Sequence, residues 1–348
     1  MPSDRVRIIG RFPNALVHAY DRKRGLIFSS KNRVFAVADL SRPRPVEVGR
    51  VSWGPAQWPS HLRLLDRALR HSIQQVAIHH DGRYLVFAGD AWHSINGNGQ
   101  SVPIPAFSET RPMHRGVCAV PGNGCIYVAG YDPNPRKLPV PIYRTTNLAH
   151  FEVAWEFPSR EVRHVHAIVQ DPAAPETVWV LTGDEDHESS FYRTDDDFKT
   201  LTKAYNRGQM TRAVDLVFEQ GRAVWGMDSP RTASYVIQAP RGELEKAEQV
   251  HELPGPAYYM SRNEAGALYL GTTVELPKTM TYRVGHVLGT RPGGCWEDML
   301  QLKKDWFPQF GIVYFPTGQL PENYLVYSQR ALRPYEGHLT IARDAAWG

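Results

Sequence analysis

The sequence predicts an all-β fold, a single seven-bladed β-propeller over residues 1–348, closed by an N-terminal strand and carrying one short helical insertion. Three observations predict it. A weak internal repeat runs along the chain at a spacing of roughly 40–50 residues. Turn pairs (Asp81-Gly82, Asn123-Gly124, Gln220-Gly221, Ala265-Gly266) fall between the first two strands of a unit, as hairpins require. Finally, the 27 Pro and 28 Gly are spread along the chain, which suits many short strands joined by turns.

The elements follow in order. Segment 5–9 reads as a strand that completes the last unit. Segments 15–19 and 26–29 form the first strand pair, and 74–78 with 84–88 the second. Between them, Pro59-Ser60 precedes H-L-R-L-L-D-R-A-L-R, with Leu62, Leu65 and Leu69 at helical spacing and arginines opposite. This predicts an amphipathic helix over about 60–71, packed on the propeller rim. The remaining first strands are 116–120, 164–169, 213–218, 256–260 and 311–315. Their second strands are 125–129, 177–181, 223–226, 267–271 and 323–328. Third strands often carry Tyr-Arg-Thr. Seven such four-stranded units make a propeller.

Composition bounds the function. The formal charge is only +4 and the Lys and Arg form no long run, so no nucleic-acid footprint is visible. No stretch approaches the roughly 18 apolar residues of a membrane helix. The N-terminus lacks an apolar export segment, and the three cysteines (Cys118, Cys125, Cys295) form no even framework and no C-x-x-C pair. A cytoplasmic protein with reduced thiols is expected, as a monomer or weak oligomer.

Two third strands continue into related turns, I-Y-R-T-T-N-L-A-H-F at 142–151 and F-Y-R-T-D-D-D-F-K-T at 191–200. They resemble degenerate Asp-box turns (S/T-x-D-x-G-x-T-W) of the BNR and sialidase-like propellers. Thr194 and Asp196 match the S/T and Asp places, Phe198 replaces Gly, and the closing Trp is missing. Thr145 and Asn147 match in the other copy. The resemblance covers most of the chain as a fold pattern and implies a seven-bladed sialidase-like propeller. An R-I-P motif is not recognisable; the nearest string is Gly10-Arg11-Phe12-Pro13. The arginine triad and sialic acid cleavage are therefore not implied.

In a propeller, the loop leading into each first strand and the loop between second and third strands share one face. The first set contributes Arg115, Arg163, His164, Arg212, Tyr258 and Tyr259. The second contributes Tyr131, Asp132, Asp184, Glu185, His187, Asp228 and Glu275. The densest segment is 163–200, where His164 and His166 alternate on one strand and an acidic loop follows. Two imidazoles on one side of a strand can ligate a divalent metal, with His187 or a carboxylate as third ligand. They can also act as a general base, or pack as hydrogen-bonded core residues.

These residues point to an enzyme that cleaves a glycosidic bond in an acidic sugar or polysaccharide. Hydrolysis would use Asp184, Glu185, Asp228 or Glu275 as acid and partner carboxylate. β-Elimination would use a His–Tyr–Arg set, with His164 or His166 as base and Tyr258; Asp184, Glu185 or His187 of the acidic loop would take some direct chemical role. Arg115, Tyr131, Arg163 and Arg212 would hold the substrate, the arginines by pairing with its carboxylate. Against this stand ordinary roles: carboxylates paired with Arg163 and Arg212, and aromatic packing at Tyr258 and Tyr259. Trp53, Trp58 and Trp92 can stack on sugar rings or fill the blades. The other class is a non-catalytic glycan- or protein-binding propeller, for example in polysaccharide biosynthesis. A third is a metal-dependent lyase on a small molecule.

Overall fold

The computed structural model describes residues 6–52, 63–69, 72–104, 110–275 and 283–344. They form seven antiparallel sheets of four strands, one extended to six by two short edge strands, in a seven-bladed β-propeller. The chain divides into two compact units. One holds Met1–Phe28, Ala36–Pro45 and Ala213–Gly348; the other holds Ser29–Phe35 and Val46–Arg212. The first sheet is Ala15–Asp21, Gly25–Ser30, Arg33–Val37 and Val46–Arg50.

Three sheets lie within the second unit. They are Ile73–Ile78, Tyr84–Ala88, Ala91–Ile95 and Ser101–Pro103; then Val117–Val120, Cys125–Ala129, Val140–Thr145 and Glu152–Phe157; then His164–Gln170, Val178–Gly183, Ser190–Thr194 and Thr202–Asn206. Second strands such as Cys125–Ala129 and Val178–Gly183 are buried at every position. A neighbouring sheet covers each face, which is why they read as unbroken apolar runs. Fourth strands such as Glu152–Phe157 and Thr202–Asn206 are largely exposed edges and carry charge. Between the third and fourth sheets, Tyr127, Ile142, Phe157, Val165, Val180, Tyr192 and Phe198 make one apolar cluster.

The first unit contains Val217–Glu219, Arg222–Gly226, Ser234–Pro240 and Glu248–Leu253, then Ala257–Asn263, Leu268–Thr272, Val284–Thr290 and Glu297–Lys304. The last sheet is Ile312–Tyr314, Tyr324–Arg330 and Leu339–Asp344, with the N-terminal strand Val6–Phe12 paired antiparallel to Leu339–Asp344. The strand expected at 5–9 therefore takes its predicted place and runs three residues further. The first strand expected over 213–218 begins only at Val217. Before it, the Asp215 carboxylate accepts the backbone N–H groups of Leu216 and Met260, at 2.9 Å each.

Two regularities confirm the repeat more sharply than hydropathy does. A bulge interrupts the pairing of the first two strands at Ile73/Gln75, Val165/Ala167 and Ala257/Met260. Another interrupts third and fourth strands at Ile142/Tyr143, Phe191/Tyr192, Val236/Ile237 and Val287/Leu288. A bulge adds a residue and re-aims the side chains around it. The first-strand bulge matters below, because it falls on His166.

The two turns that resemble Asp-boxes are hydrogen-bonded alike. Thr194 Oγ1 accepts the Phe198 N–H at 3.0 Å, and Asp196 accepts the N–H and hydroxyl of Thr200 at 2.9 and 2.8 Å. Thr145 Oγ1 accepts the Leu148 N–H at 3.0 Å, and Asn147 accepts from Ala149 and His150. The turn at Thr194 is one residue longer than that at Thr145. Phe198 (φ 64°) and Leu148 (φ 59°) are the buried left-handed residues in each. The next carboxylate, Asp197, accepts from the Tyr127 hydroxyl, from Asn123 at 3.1 Å and from Arg144 at 2.6 Å, tying the third sheet to the fourth.

The helix is Arg63–Leu69, and none of its residues is buried. Leu64 and Leu69 are exposed, so the predicted apolar stripe does not pack among the described residues. Pro59, Ser60, Leu62, Trp53 and Trp58 lie outside them; Trp92 is fully buried and fills its blade. No described helix is long and apolar enough to cross a membrane. Burial pushes the Cys118 thiol up to about 12, so it is no nucleophile.

His18, in the first strand, gives the fold a titration. Burial pushes its imidazole down to about 3. The unfolded chain takes up this proton as pH falls through about 6.5, while the folded chain does not. The stability of this site is therefore complete above about pH 6.5 and declines below it, by up to about 1.4 kcal/mol per pH unit. Substituting His18→Gln should flatten the acid limb in urea unfolding measured from about pH 7 to about pH 4. An unchanged slope would contradict this assignment.

Candidate functional site

His164 opens the first strand of the fourth sheet, opposite Gly183. Val165 pairs with Thr182 and Ala167 with Leu181, so His166 is the extra residue of the bulge. Simple alternation already puts His164 and His166 on one side; the bulge brings their rings together. Their Nε2 atoms lie 3.2 Å apart and their ring centroids 5.1 Å apart. Both are buried, His166 completely.

The second-to-third-strand loop supplies the carboxylate. Asp184 Oδ2 lies 3.4 Å from His164 Nε2, and Oδ1 lies 3.5 Å from His166 Nε2. Arg212 Nη2 is 3.2 Å from Oδ1, and Arg163 Nη1 is 3.6 Å from Oδ2. Two guanidinium groups thus face one carboxylate, and the centre is net positive even with both imidazoles neutral. Burial works against ionisation of Asp184, but hydrogen-bonding and charge contacts from His164 and His166 outweigh it and hold the carboxyl well below the usual range. Burial pushes the His166 imidazole down, partly offset by Asp184.

Surrounding groups set the orientations. His164 Nδ1 lies 3.3 Å from the Asp132 carbonyl oxygen, which can only accept, so this contact places the proton on Nδ1. The Tyr131 ring packs on His164 at 4.1 Å between centroids, and Tyr131 is exposed at the mouth. Burial raises the Asp132 carboxyl, against the pull of Arg111 and His164. Gln209 donates to the Asp184 carbonyl at 3.1 Å and to Asp186 at 2.8 Å, fixing the loop from the short 3-10 turn Gly208–Thr211 that leads into Arg212.

The loop then turns sharply. Glu185 O accepts the N–H groups of Glu188 and Ser189, which swings His187 outward. His187 is 66% exposed, and its Nε2 lies 3.7 Å from the buried Glu188 carboxylate, which also pairs with Lys137. Of the third ligands the sequence offers, His187 or a carboxylate, the one beside His164 and His166 is the carboxylate of Asp184. Among the described residues, the group of three that converges is His164, His166 and Asp184, with donor atoms all within 4.8 Å of one another. Lys137, Gln209 and Gly183 are contributors the sequence reading missed.

The other expected site residues take these places. Arg115 is buried, its backbone pairs with Ala167, and its carbonyl accepts the Ile168 N–H at 2.9 Å. Glu185 is half-buried and serves the loop through its carbonyl. Asp228, Tyr258 and Glu275 belong to the other unit. There the Tyr258 hydroxyl donates to Glu275 Oε1 at 3.3 Å, and Asp228 is buried.

Gly183 has a specific reason to lack a side chain. A Cβ there would sit 2.7 Å from His166 Cε1 and 3.2 Å from its Nδ1. His166 is walled in and cannot give way. Substituting Gly183→Ala should therefore cost about 1–3 kcal/mol, as overpacking does, by displacing the imidazole. Thermal unfolding checks it; an equally stable variant would show the contact to be slack.

No family model matches the chain, and no curated protein matches it. Solved structures do. A catalytically inactive histidine-to-alanine variant of virginiamycin B lyase from Staphylococcus aureus, with quinupristin, is similar at a TM-score of 0.58 and 9% identity, over 99% of this chain and 97% of that one. Raptor from Chaetomium thermophilum is similar at 0.59 and 11% identity; the match covers 98% of this chain and 29% of Raptor. An ancestral GH74 enzyme is similar at 0.55 and 12%, over 93% of this chain and 45% of that one. At such identities the likeness is one of backbone architecture, and the chain has the seven-bladed β-propeller fold these comparisons share.

Proposed function

We propose that the protein cleaves a glycosidic bond in an acidic sugar by β-elimination, at the centre formed by Arg163, His164, His166, Asp184 and Arg212. One observation carries this reading: a single ionised carboxylate is enclosed by two imidazoles and two guanidiniums. A carboxyl held so firmly ionised is a poor general acid, which weighs against hydrolysis through Asp184. The same positive centre suits a substrate carboxylate, which the arginines can grip. Both a lyase and a GH74 enzyme have this fold, so the choice rests on the site. The hydrogen-bonded turns at Thr145 and Thr194 support grouping the chain with sialidase-like propellers.

Neutralising a uronate carboxylate acidifies the proton on the adjacent carbon. A base removes that proton, the electron pair forms a carbon–carbon double bond, and the glycosidic carbon–oxygen bond breaks. The departing oxygen then takes up a proton. His164 and His166 are enclosed, so the accessible imidazole, His187 backed by Glu188, is assigned to take the proton and return it to the leaving oxygen. Tyr131 lies at the mouth as a ring on which a sugar can rest.

The test is turnover of uronate-containing oligosaccharides, read by the ultraviolet absorbance of the unsaturated product. His187→Ala should lower turnover roughly 100-fold or more, the usual contribution of a general base. Released reducing sugar without that absorbance would sink elimination in favour of hydrolysis. Binding without any turnover would favour the non-catalytic module.

A further inference from the structure

The geometry points to a divalent transition-metal ion, of the zinc class, held by His164 Nε2, His166 Nε2 and Asp184. The inference rests on the same site as the proposed elimination and concerns what occupies its centre. The three donor groups approach one point. Their closest edges are 3.2 Å between the two nitrogens, 3.4 Å from His164 to Oδ2 and 3.5 Å from His166 to Oδ1. Four ligands at the usual zinc bond lengths of about 2.0–2.1 Å, arranged tetrahedrally, lie about 3.3–3.4 Å apart. The two nitrogens and, for each of them, one oxygen of Asp184 stand near that spacing; taken one atom per residue, the three donors lie within 4.8 Å of one another.

Hydrogen bonds and ion pairs hold the carboxylate, and the donor atoms beside it also suit a cation. In its neutral form with the proton on Nδ1, facing the Asp132 carbonyl, His164 offers Nε2 as a lone pair to a metal. That lone pair faces the second imidazole and a carboxylate oxygen. Asp184 Oδ1 is itself buried and accepts no well-aligned hydrogen bond. Three donor atoms that approach one point form a set that a cation can bridge. A proton bridges two of them, whereas a metal ion bridges all three.

The outer contacts are those that metal-binding residues use. A backbone carbonyl orients one imidazole, and guanidinium groups engage the carboxylate from outside. Two nitrogen donors favour zinc, cobalt, nickel or iron over magnesium and calcium, which take oxygen shells. Three protein ligands leave a fourth position open, as in catalytic and not structural zinc sites. With Arg163 and Arg212 close by, an anionic group is the natural fourth ligand. The substrate carboxylate would fill it, and the ion would polarise that carboxylate.

The experiment is titration of the chelator-treated full chain with zinc chloride by calorimetry, and with cobalt(II) chloride by visible absorption. One equivalent of each is expected to bind, with the intense absorption of tetrahedral cobalt. Asp184→Asn should weaken zinc binding by at least roughly 10–100-fold, with folding confirmed by circular dichroism. His187→Ala should bind as tightly as the parent. Absence of one-equivalent binding, or undiminished binding by folded Asp184→Asn, overturns the site, as does loss of binding in His187→Ala. Binding is read without substrate, so the two readings fail separately. Elimination by metal-free protein overturns the cation alone, and tight binding with no turnover overturns the elimination alone.

Discussion

Replacing Asp184 with Asn is expected to remove activity and to destabilise the fold. The substitution keeps the shape of the side chain and deletes its charge. Arg163 and Arg212 then face each other and two imidazoles with no counter-ion. Losing one partner of a buried ion pair costs roughly 3–5 kcal/mol. Asp184 retains some exposure (16%), so the lower end, about 3 kcal/mol, is expected. Turnover should fall by roughly 100–1000-fold, as when a preorganised electrostatic group is removed. A denaturant midpoint and a rate measured on the same preparation check both. If stability falls while activity survives, the cluster is a structural ion-pair network and the site lies elsewhere.

The second large effect is at Phe198. This residue stands where Asp-box turns carry glycine, and it is in the left-handed region at φ 64°. That conformation costs a residue with a Cβ about 1–2 kcal/mol. Yet Phe198 is buried, and its ring lies 4.8 Å from that of Tyr127. Removing a buried phenylalanine costs about 3–5 kcal/mol, so packing wins over backbone strain. Phe198→Gly should therefore destabilise the protein despite restoring the residue of the Asp-box pattern, by a net of about 1–4 kcal/mol. Phe198→Ala loses the same packing and keeps the strain. It should be less stable than the glycine variant by about 1 kcal/mol, the reverse of the usual order in regular structure. Urea unfolding of the pair decides it. An alanine variant more stable than the glycine variant would show that the turn carries no such strain.

That residue also shows how the sequence encodes the fold. The strands at Tyr84–Ala88 and Cys125–Ala129 fall where the apolar runs place them, because a strand covered on both faces has no reason to alternate. The hairpin turns are equally legible. Gly124 and Gly266 adopt φ values of 70° and 78°, which the turn requires. The late start of Val217–Glu219 was hidden, because a side chain, Asp215, takes over backbone hydrogen bonds. Pattern reading does not see such competition.

The candidate site was legible as a density of imidazoles and carboxylates, and no further. Four acidic residues lie in the loop after Gly183, and the sequence does not say which faces inward. The turn sealed by Glu185 O decides: Asp184 points in, Asp186 reaches Gln209, and Glu188 is buried against Lys137. The bulge at His166 was equally hidden. Only its equivalents at Ile73/Gln75 and Ala257/Met260 reveal it as part of the repeat. Gly183 carried a signal in retrospect, since a glycine in an otherwise apolar buried strand marks the close approach of another group.

The most direct test of the account is the mass of the products released from a uronate-containing oligosaccharide. Elimination gives a fragment lighter by one water than the hydrolytic one, and in isotopically heavy water it incorporates no solvent oxygen. The account predicts the lighter, unlabelled fragment from the parent protein and none from Asp184→Asn. A fragment carrying oxygen from the solvent would contradict it and assign the centre to hydrolysis.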